Sequence, residues 1–173
     1  MSSPATAPGN RGSPDELAVW SDFLLASNHV QQQLERTLRA ETGLSLAQYT
    51  ALHALEETDG SATVNQVGDA LLYSTGSVTN LLKAMERQEL ITRARSTSDR
   101  RVVHIEATPH GLDAFAQATD VVLDIARREF TDLLTDEELP AVAGFITRLC
   151  ERDPRSHHSP YAVPPHLVRR RPE

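Results

Sequence analysis

The hydrophobic period of this chain is helical on both sides of one short interruption. From Asp15 to about Gln88 the apolar residues recur three or four positions apart, the spacing of helix faces. Beyond Gln88 the period becomes two: Val103, Ile105 and Ala107 alternate with His104 and Glu106, as in a half-buried strand. Thr108 and Pro109 then stop the strand, proline being well placed in a first helical turn, and the helical spacing returns. A chain so patterned is mainly α, with one short hairpin set between helices.

The helical stretches divide at recognisable signals. Leu17, Trp20, Leu24, Val30, Leu34 and Leu38 form one long stripe closed by Gly43. Ser45 is a good N-cap for a second helix, on which Leu46, Tyr49, Leu52 and Leu55 share a face. The stretch TDGSAT reads as a loop. Val64, Val67 and Leu71 suit a short third helix, and Ser74 can cap a fourth whose inner face is Val78, Leu81, Leu82 and Met85. Two short helices joined by about three residues have the outline of a helix-turn-helix. Ile91 to Arg95 is the natural partner of the 103–107 strand, which makes a two-stranded wing. The next helix carries Leu112, Phe115, Val122, Ile125, Phe130 and Leu133; a last one begins near Thr135, with Asp136 and Glu137 at its positive end, and runs through Leu139, Val142, Ile146 and Leu149.

Composition bounds the rest. Residues 1–14 and 153–173 are rich in Pro, Ser, Gly, His and Arg and read as tails around one domain at 15–152. No apolar run approaches the roughly 18 residues of a membrane span, no signal-peptide core is present, and the single cysteine cannot form an internal disulfide. A cytoplasmic protein without a membrane partner is the expectation. The net charge of −7 argues against a polyanionic partner on average. Locally the sign reverses: between Thr92 and His104 stand Arg93, Arg95, Arg100 and Arg101 against Asp99 alone. Screening confines surface charge effects to about 8 Å, so the local sign matters more than the total.

Three stretches carry a resemblance: GLSLAQYTAL at 43–52, VGDALLYSTGSVTNLLKAMERQELITR at 67–93, and DRRVVHIEATPHG at 99–111. Together they resemble the MarR family of winged helix-turn-helix transcription regulators. The most specific part is Asp-Arg-Arg, a strand and Thr-Pro-x-Gly, following a Leu-Ile-x-Arg helix exit. The resemblance implies a homodimer whose long terminal helices, about 15–42 and 110–152, intertwine beside a winged helix-turn-helix at about 45–109. A two-fold pair of lobes reads a palindromic operator in double-stranded DNA, with half-sites about one helical turn apart. The function implied is repression of nearby genes, with room for a small-molecule effector.

On that reading Ser74, Thr75, Gly76, Ser77, Thr79, Asn80 and Lys83 approach the major groove. Hydroxyls and the lysine suit phosphate, and Asn80 suits an adenine edge. Arg93, Arg95, Arg100 and Arg101 form the positive wing, and Asp99 orients an arginine, since a carboxylate beside phosphate is repelled. The bland alternative is that the hydroxyls only cap a helix and that Asp99 makes a solvated surface pair. The chain departs from relatives that place arginines along the recognition helix and Asp-Pro at the start of the wing; it has Asn80, and Ser96-Thr97. Trp20, His29, Tyr49 and His53 stand near the family's ligand crevice, although core packing is the simpler reading of the aromatic pair.

Some relatives use a reactive cysteine near the N-terminal helix. Cys150 stands near the end of the last helix, where a buried inert thiol or dimer packing is expected. His157, His158 and His166 lack the spacing of a preformed metal site, so neither metal nor cofactor is expected. No nucleophile-base pair or glycine-rich phosphate loop suggests an enzyme. The competing class is a winged-helix protein-interaction module without DNA binding, for which the acidic total is the argument.

Overall fold

The computed structural model describes residues 14–58, 60–71, 75–95 and 103–152. Ser74, Asp99, Arg100, Arg101 and both tails lie outside the described residues. The elements in chain order are α1 (Pro14–Thr42), α2 (Leu46–Glu56), β1 (Ser61–Thr63), α3 (Val64–Leu71), α4 (Thr75–Arg87), β2 (Ile91–Arg95), β3 (Val103–Ala107), α5 (Pro109–Glu129), a 3-10 turn (Thr131–Leu133) and α6 (Glu138–Cys150). The chain divides into two units, with the boundary inside α1 between Gln33 and Leu34.

The N-terminal unit is the first part of α1. Its large apolar residues Leu17, Val19, Trp20, Leu24 and Leu25 are exposed in the single chain, and Trp20 meets Phe23 at a ring separation of 6.1 Å. The expectation that Trp20 packs in a core is therefore not met within this chain. Its stripe is one turn of aromatic contact on an otherwise open helix surface.

The second unit holds the core. Leu38, Leu52, Leu55, Val67, Val78, Leu82, Met85, Ile91, Ile105 and Phe115 are buried together. At about 1.5 to 3 kcal/mol for each large side chain, such burial is the main force holding α2, α3, α4, α5 and the sheet in place. Local chemistry sets where the helices begin. Ser45 and Gln48 form a reciprocal capping box on α2, and Thr63 with Gln66 does the same on α3. Gly43, at φ +76°, donates back to the Arg39 carbonyl and ends α1. Glu35 then joins the neighbouring elements: Oε1 pairs with Arg39, and Oε2 accepts from the Leu46 amide at 2.6 Å.

The sheet has three antiparallel strands in the order β1-β3-β2, so the two-stranded wing is extended by Ser61–Thr63, residues expected from the sequence to be loop. Ala62 stands opposite Ile105, and both are buried. Three residues are too few to display a period of two; this strand exists because β3 offers it a free edge. α5 also ends earlier than its stripe suggests. Phe130 leaves the helical region (φ −143°, ψ −67°), and Phe130 and Leu133 are exposed beyond the last turn.

α6 opens on another capping box, with Thr135 and Glu138 as its members. Hydrogen bonds from the backbone amide and hydroxyl of Thr135 hold the Glu138 carboxyl below its ordinary value of 4.5. A lowered folded value means that the charge contributes stability above the unfolded value and loses it as pH falls through the folded one. Glu138→Gln should therefore unfold more easily than the parent at pH 7, and thermal melts repeated toward pH 3 should show the difference closing. A difference that persisted at low pH would show that the charge is not what the cap uses.

Candidate nucleic-acid interface

α4 is divided lengthwise by its own sequence. Val78, Leu82 and Met85 are fully buried, while Gly76, Ser77, Asn80, Lys83, Glu86 and Arg87 are exposed. Gly76, Asn80, Lys83 and Arg87 follow helical spacings of four, three and four, so they line one face. Thr79 is half-buried at the edge of that stripe, and Thr75 is the first residue of the helix. Arg87 shares this exposed face and was not among the residues expected there from the sequence; its place four residues after Lys83 was the available signal.

Behind this helix stands α3, brought close by Gly68: a Cβ added there would meet Val78 Cγ2 at 3.4 Å. The close pair fixes the presentation of α4 to solvent. Its first turn includes Gly76, where nothing lies within 4 Å of an added Cβ. Asn80, Lys83 and Arg87 make a stripe of hydrogen-bonding groups and positive charge. Such a stripe suits phosphates and base edges, since phosphate contacts orient and base contacts specify.

A turn of three residues carries the chain from α4 to β2. Leu90 N–H donates to the Met85 carbonyl at 3.0 Å, and Glu89 adopts φ +56°. The start of α5 is locked onto this turn. The Thr108 amide donates to the Leu90 carbonyl at 3.1 Å, and its hydroxyl donates to the Glu89 carbonyl at 2.6 Å while accepting from the Gly111 amide at 2.9 Å. Gln48, from the cap of α2, donates to the Gln88 side chain on the other side. Thr-Pro-x-Gly is thus a joint between the hairpin, α4 and α5 as well as a helix start.

The hairpin pairs Ile91 with Ala107, Arg93 with Ile105 and Arg95 with Val103. The basic residues of the wing do not act alike. Arg93 lies 3.1 Å from Glu86 of α4, whereas Arg95 is the last residue of β2, just before the undescribed residues that include Arg100 and Arg101. On the other sheet face Thr92 and Glu106 are exposed, and the Ser61 hydroxyl stands 3.5 Å from His104 Nδ1.

The four residues expected at a ligand crevice fall into different units. Tyr49 and His53 are buried in the second unit and pack with Phe115, at ring separations of 5.2 Å for Tyr49 and 5.9 Å for His53. His53 Nδ1 is 3.8 Å from the Glu57 carboxylate. Trp20 and His29 are exposed on the N-terminal unit. Cys150 is exposed in the single chain, contrary to a buried thiol, because α6 buries none of its residues there. Among the described residues no group of His, Cys, Asp and Glu could hold a metal ion, and no helix is long and apolar enough to cross a membrane.

Comparison with known proteins identifies this arrangement. Residues 42–102 match the sequence model of the MarR family. The organic hydroperoxide resistance transcriptional regulator of Bacillus subtilis is 34% identical over 114 residues, which cover 64% of this chain and 77% of that protein. AbsC, a MarR family transcriptional regulator from Streptomyces coelicolor, superimposes with a TM-score of 0.75 at 26% identity, over 83% of this chain and 97% of its own. Sco3205 from the same organism, solved in complex with DNA, shares the fold at a TM-score of 0.77 and 18% identity, over 85% of this chain and 92% of its own. With its helix-turn-helix, its wing and this degree of likeness, the chain belongs to the MarR family of transcriptional regulators.

Proposed function

We propose that the chain acts as a homodimeric, sequence-specific repressor of nearby genes, binding a palindromic site in double-stranded DNA. The observation that carries this reading is the exposed stripe on α4, where Gly76, Asn80, Lys83 and Arg87 share a face opposite the buried Val78, Leu82 and Met85. In this account α4 enters the major groove, with Asn80 reading base edges and Lys83 and Arg87 meeting phosphate. Arg95, Arg100 and Arg101 supply the wing's positive charge, with Asp99 orienting one of them and Ser74, Thr75, Ser77 and Thr79 at the amino end of the helix. The acidic remainder of the chain limits nonspecific adhesion. The protein works in the cytoplasm, without a catalytic step.

A small-molecule effector is proposed on the family reading alone, since Tyr49 and His53 are packed core groups here. Release by an effector requires that it prefer a conformation whose two lobes no longer match the half-sites; equal affinity for both states shifts nothing.

The test is fluorescence anisotropy of the purified protein against DNA from its own upstream region and against unrelated DNA, across a salt series. Tighter binding to the upstream DNA, with log affinity falling by about 0.9 per phosphate neutralised for each log unit of salt, supports the reading. Absence of binding to any duplex at low salt overturns it in favour of a protein-interaction module. Within this scheme Asn80→Ala should relax discrimination at its contacted base pairs by about 1 to 3 kcal/mol, read by selection from randomised duplexes. Unchanged preference would assign Asn80 to positioning only.

A further inference from the structure

Arg93 begins on the inner face of the hairpin. It pairs across the strands with Ile105, and directly paired residues share a sheet face; Ile105 is fully buried. Its Nε and Nη2 are shut off from solvent and make no hydrogen bond. Nε nevertheless stands 3.1 Å from Oε2 of Glu86, a charge contact that lies off the N–H axis. A guanidinium partly closed off from water needs a counter-charge, and Glu86 supplies it from α4. The two residues straddle the turn at 88–90, in which Glu89 is left-handed. Beside the core packing and the bonds that hold the turn, the junction of β2 with α4 thus carries an ion pair across it.

We propose that Glu86 and Arg93 form a strut that sets the pitch of the wing against the recognition helix, and that Arg93 lends no charge to DNA. The proposal rests on the reading of α4 and the wing as the DNA interface. It changes the set of candidate phosphate ligands: Arg93 becomes a positioning residue, and Arg95, Arg100 and Arg101 remain as the candidates of the segment.

The two roles predict opposite signs for one variant. If Arg93 met phosphate, Glu86 would compete for it, and Glu86→Gln would tighten DNA binding. If the pair is a strut, Glu86→Gln weakens binding. Parent, Glu86→Gln, Arg93→Gln and the double variant are to be compared on the tightest duplex recovered by the parent from a randomised pool, by anisotropy across a salt series. Each single variant is expected to lose about five- to tenfold in affinity, with the double no worse than Arg93→Gln alone, as for residues acting as one unit. The salt slope stays unchanged. A slope that falls in Arg93→Gln by about 0.9 for each phosphate it no longer neutralises, together with tighter binding by Glu86→Gln, overturns the strut. So does parental affinity in both single variants.

Hydrogen exchange of the β2 and β3 amides without DNA separates this outcome from failure of the DNA-binding reading. If the parent selects no duplex, the regulator reading fails on its own. The strut then stands if both single variants exchange faster than the parent over Ile91–Arg95, and falls if they do not.

Discussion

Gly111→Ala should lower the midpoint of thermal unfolding by about 10 °C, the consequence of a loss of about 3 kcal/mol in a domain of this size. A Cβ at this position would stand 2.0 Å from the Leu90 carbonyl oxygen, 2.9 Å from its carbon and 3.3 Å from the Leu90 Cα. All three are backbone atoms, so no side chain can swing away. The Leu90 carbonyl is also held in place, because it accepts from the Thr108 amide, while the Glu89 carbonyl accepts from the Thr108 hydroxyl. Relief therefore requires the first turn of α5 to part from the turn between α4 and β2, breaking the bonds that join them. Gly76→Ala is the control. It also lies in a helix, but nothing stands within 4 Å of its added Cβ, and the substitution should be neutral or stabilising by up to about 1 kcal/mol. Melts at equal protein concentration compare the two, since association makes the midpoint depend on concentration. Equal midpoints would mean that the close approach at Gly111 does not hold the joint.

Arg100→Ala combined with Arg101→Ala should weaken binding to every duplex by about 100-fold at moderate salt, taking about 1 to 3 kcal/mol for each arginine replaced. The same change should leave the melting midpoint nearly unmoved. These arginines follow the strand that ends at Arg95 and precede the one that begins at Val103, so they stand between two paired strands in the chain. With Arg93 engaged by Glu86, most of the segment's remaining positive charge is theirs. The slope of log affinity against log salt should fall as well, by about 0.9 for each phosphate left without its arginine. A double variant that bound its operator as tightly as the parent would remove the wing from the interface. One that lost affinity only for the operator, and kept its nonspecific binding, would make the pair a reader of groove shape rather than a source of charge.

Several elements were legible because their signals are local. The stripe ending at Gly43, the Ser45 cap, the inner face Val78, Leu82 and Met85, and the strand at 103–107 each follow from periodicity or cap chemistry within a few residues. The Ile91–Arg95 partner strand was likewise correct. Two readings failed for a shared reason. The strand Ser61–Thr63 has no pattern of its own and is made by the edge of β3. Trp20 sits on a helix stripe that suggests a core, yet stripe and core are different things: a periodic face states that burial is favourable and leaves open what covers it.

Local sequence specifies the order of helices, the place of the hairpin, the capped starts of α2 and α5, and the open face of α4 as far as Lys83. These depend on backbone propensity, hydrophobic period and side chains that bond to their own neighbourhood, all of which are written within one or two turns of chain. Tertiary structure set the contact of Arg93 with Glu86 of α4, the lack of room for a side chain at the glycine of Thr-Pro-x-Gly, and the third strand of the sheet. Those outcomes are set by residues that meet in space while lying far apart in the chain, such as Gly111 against Leu90 and Ala62 against Ile105, for which a local pattern carries no signal.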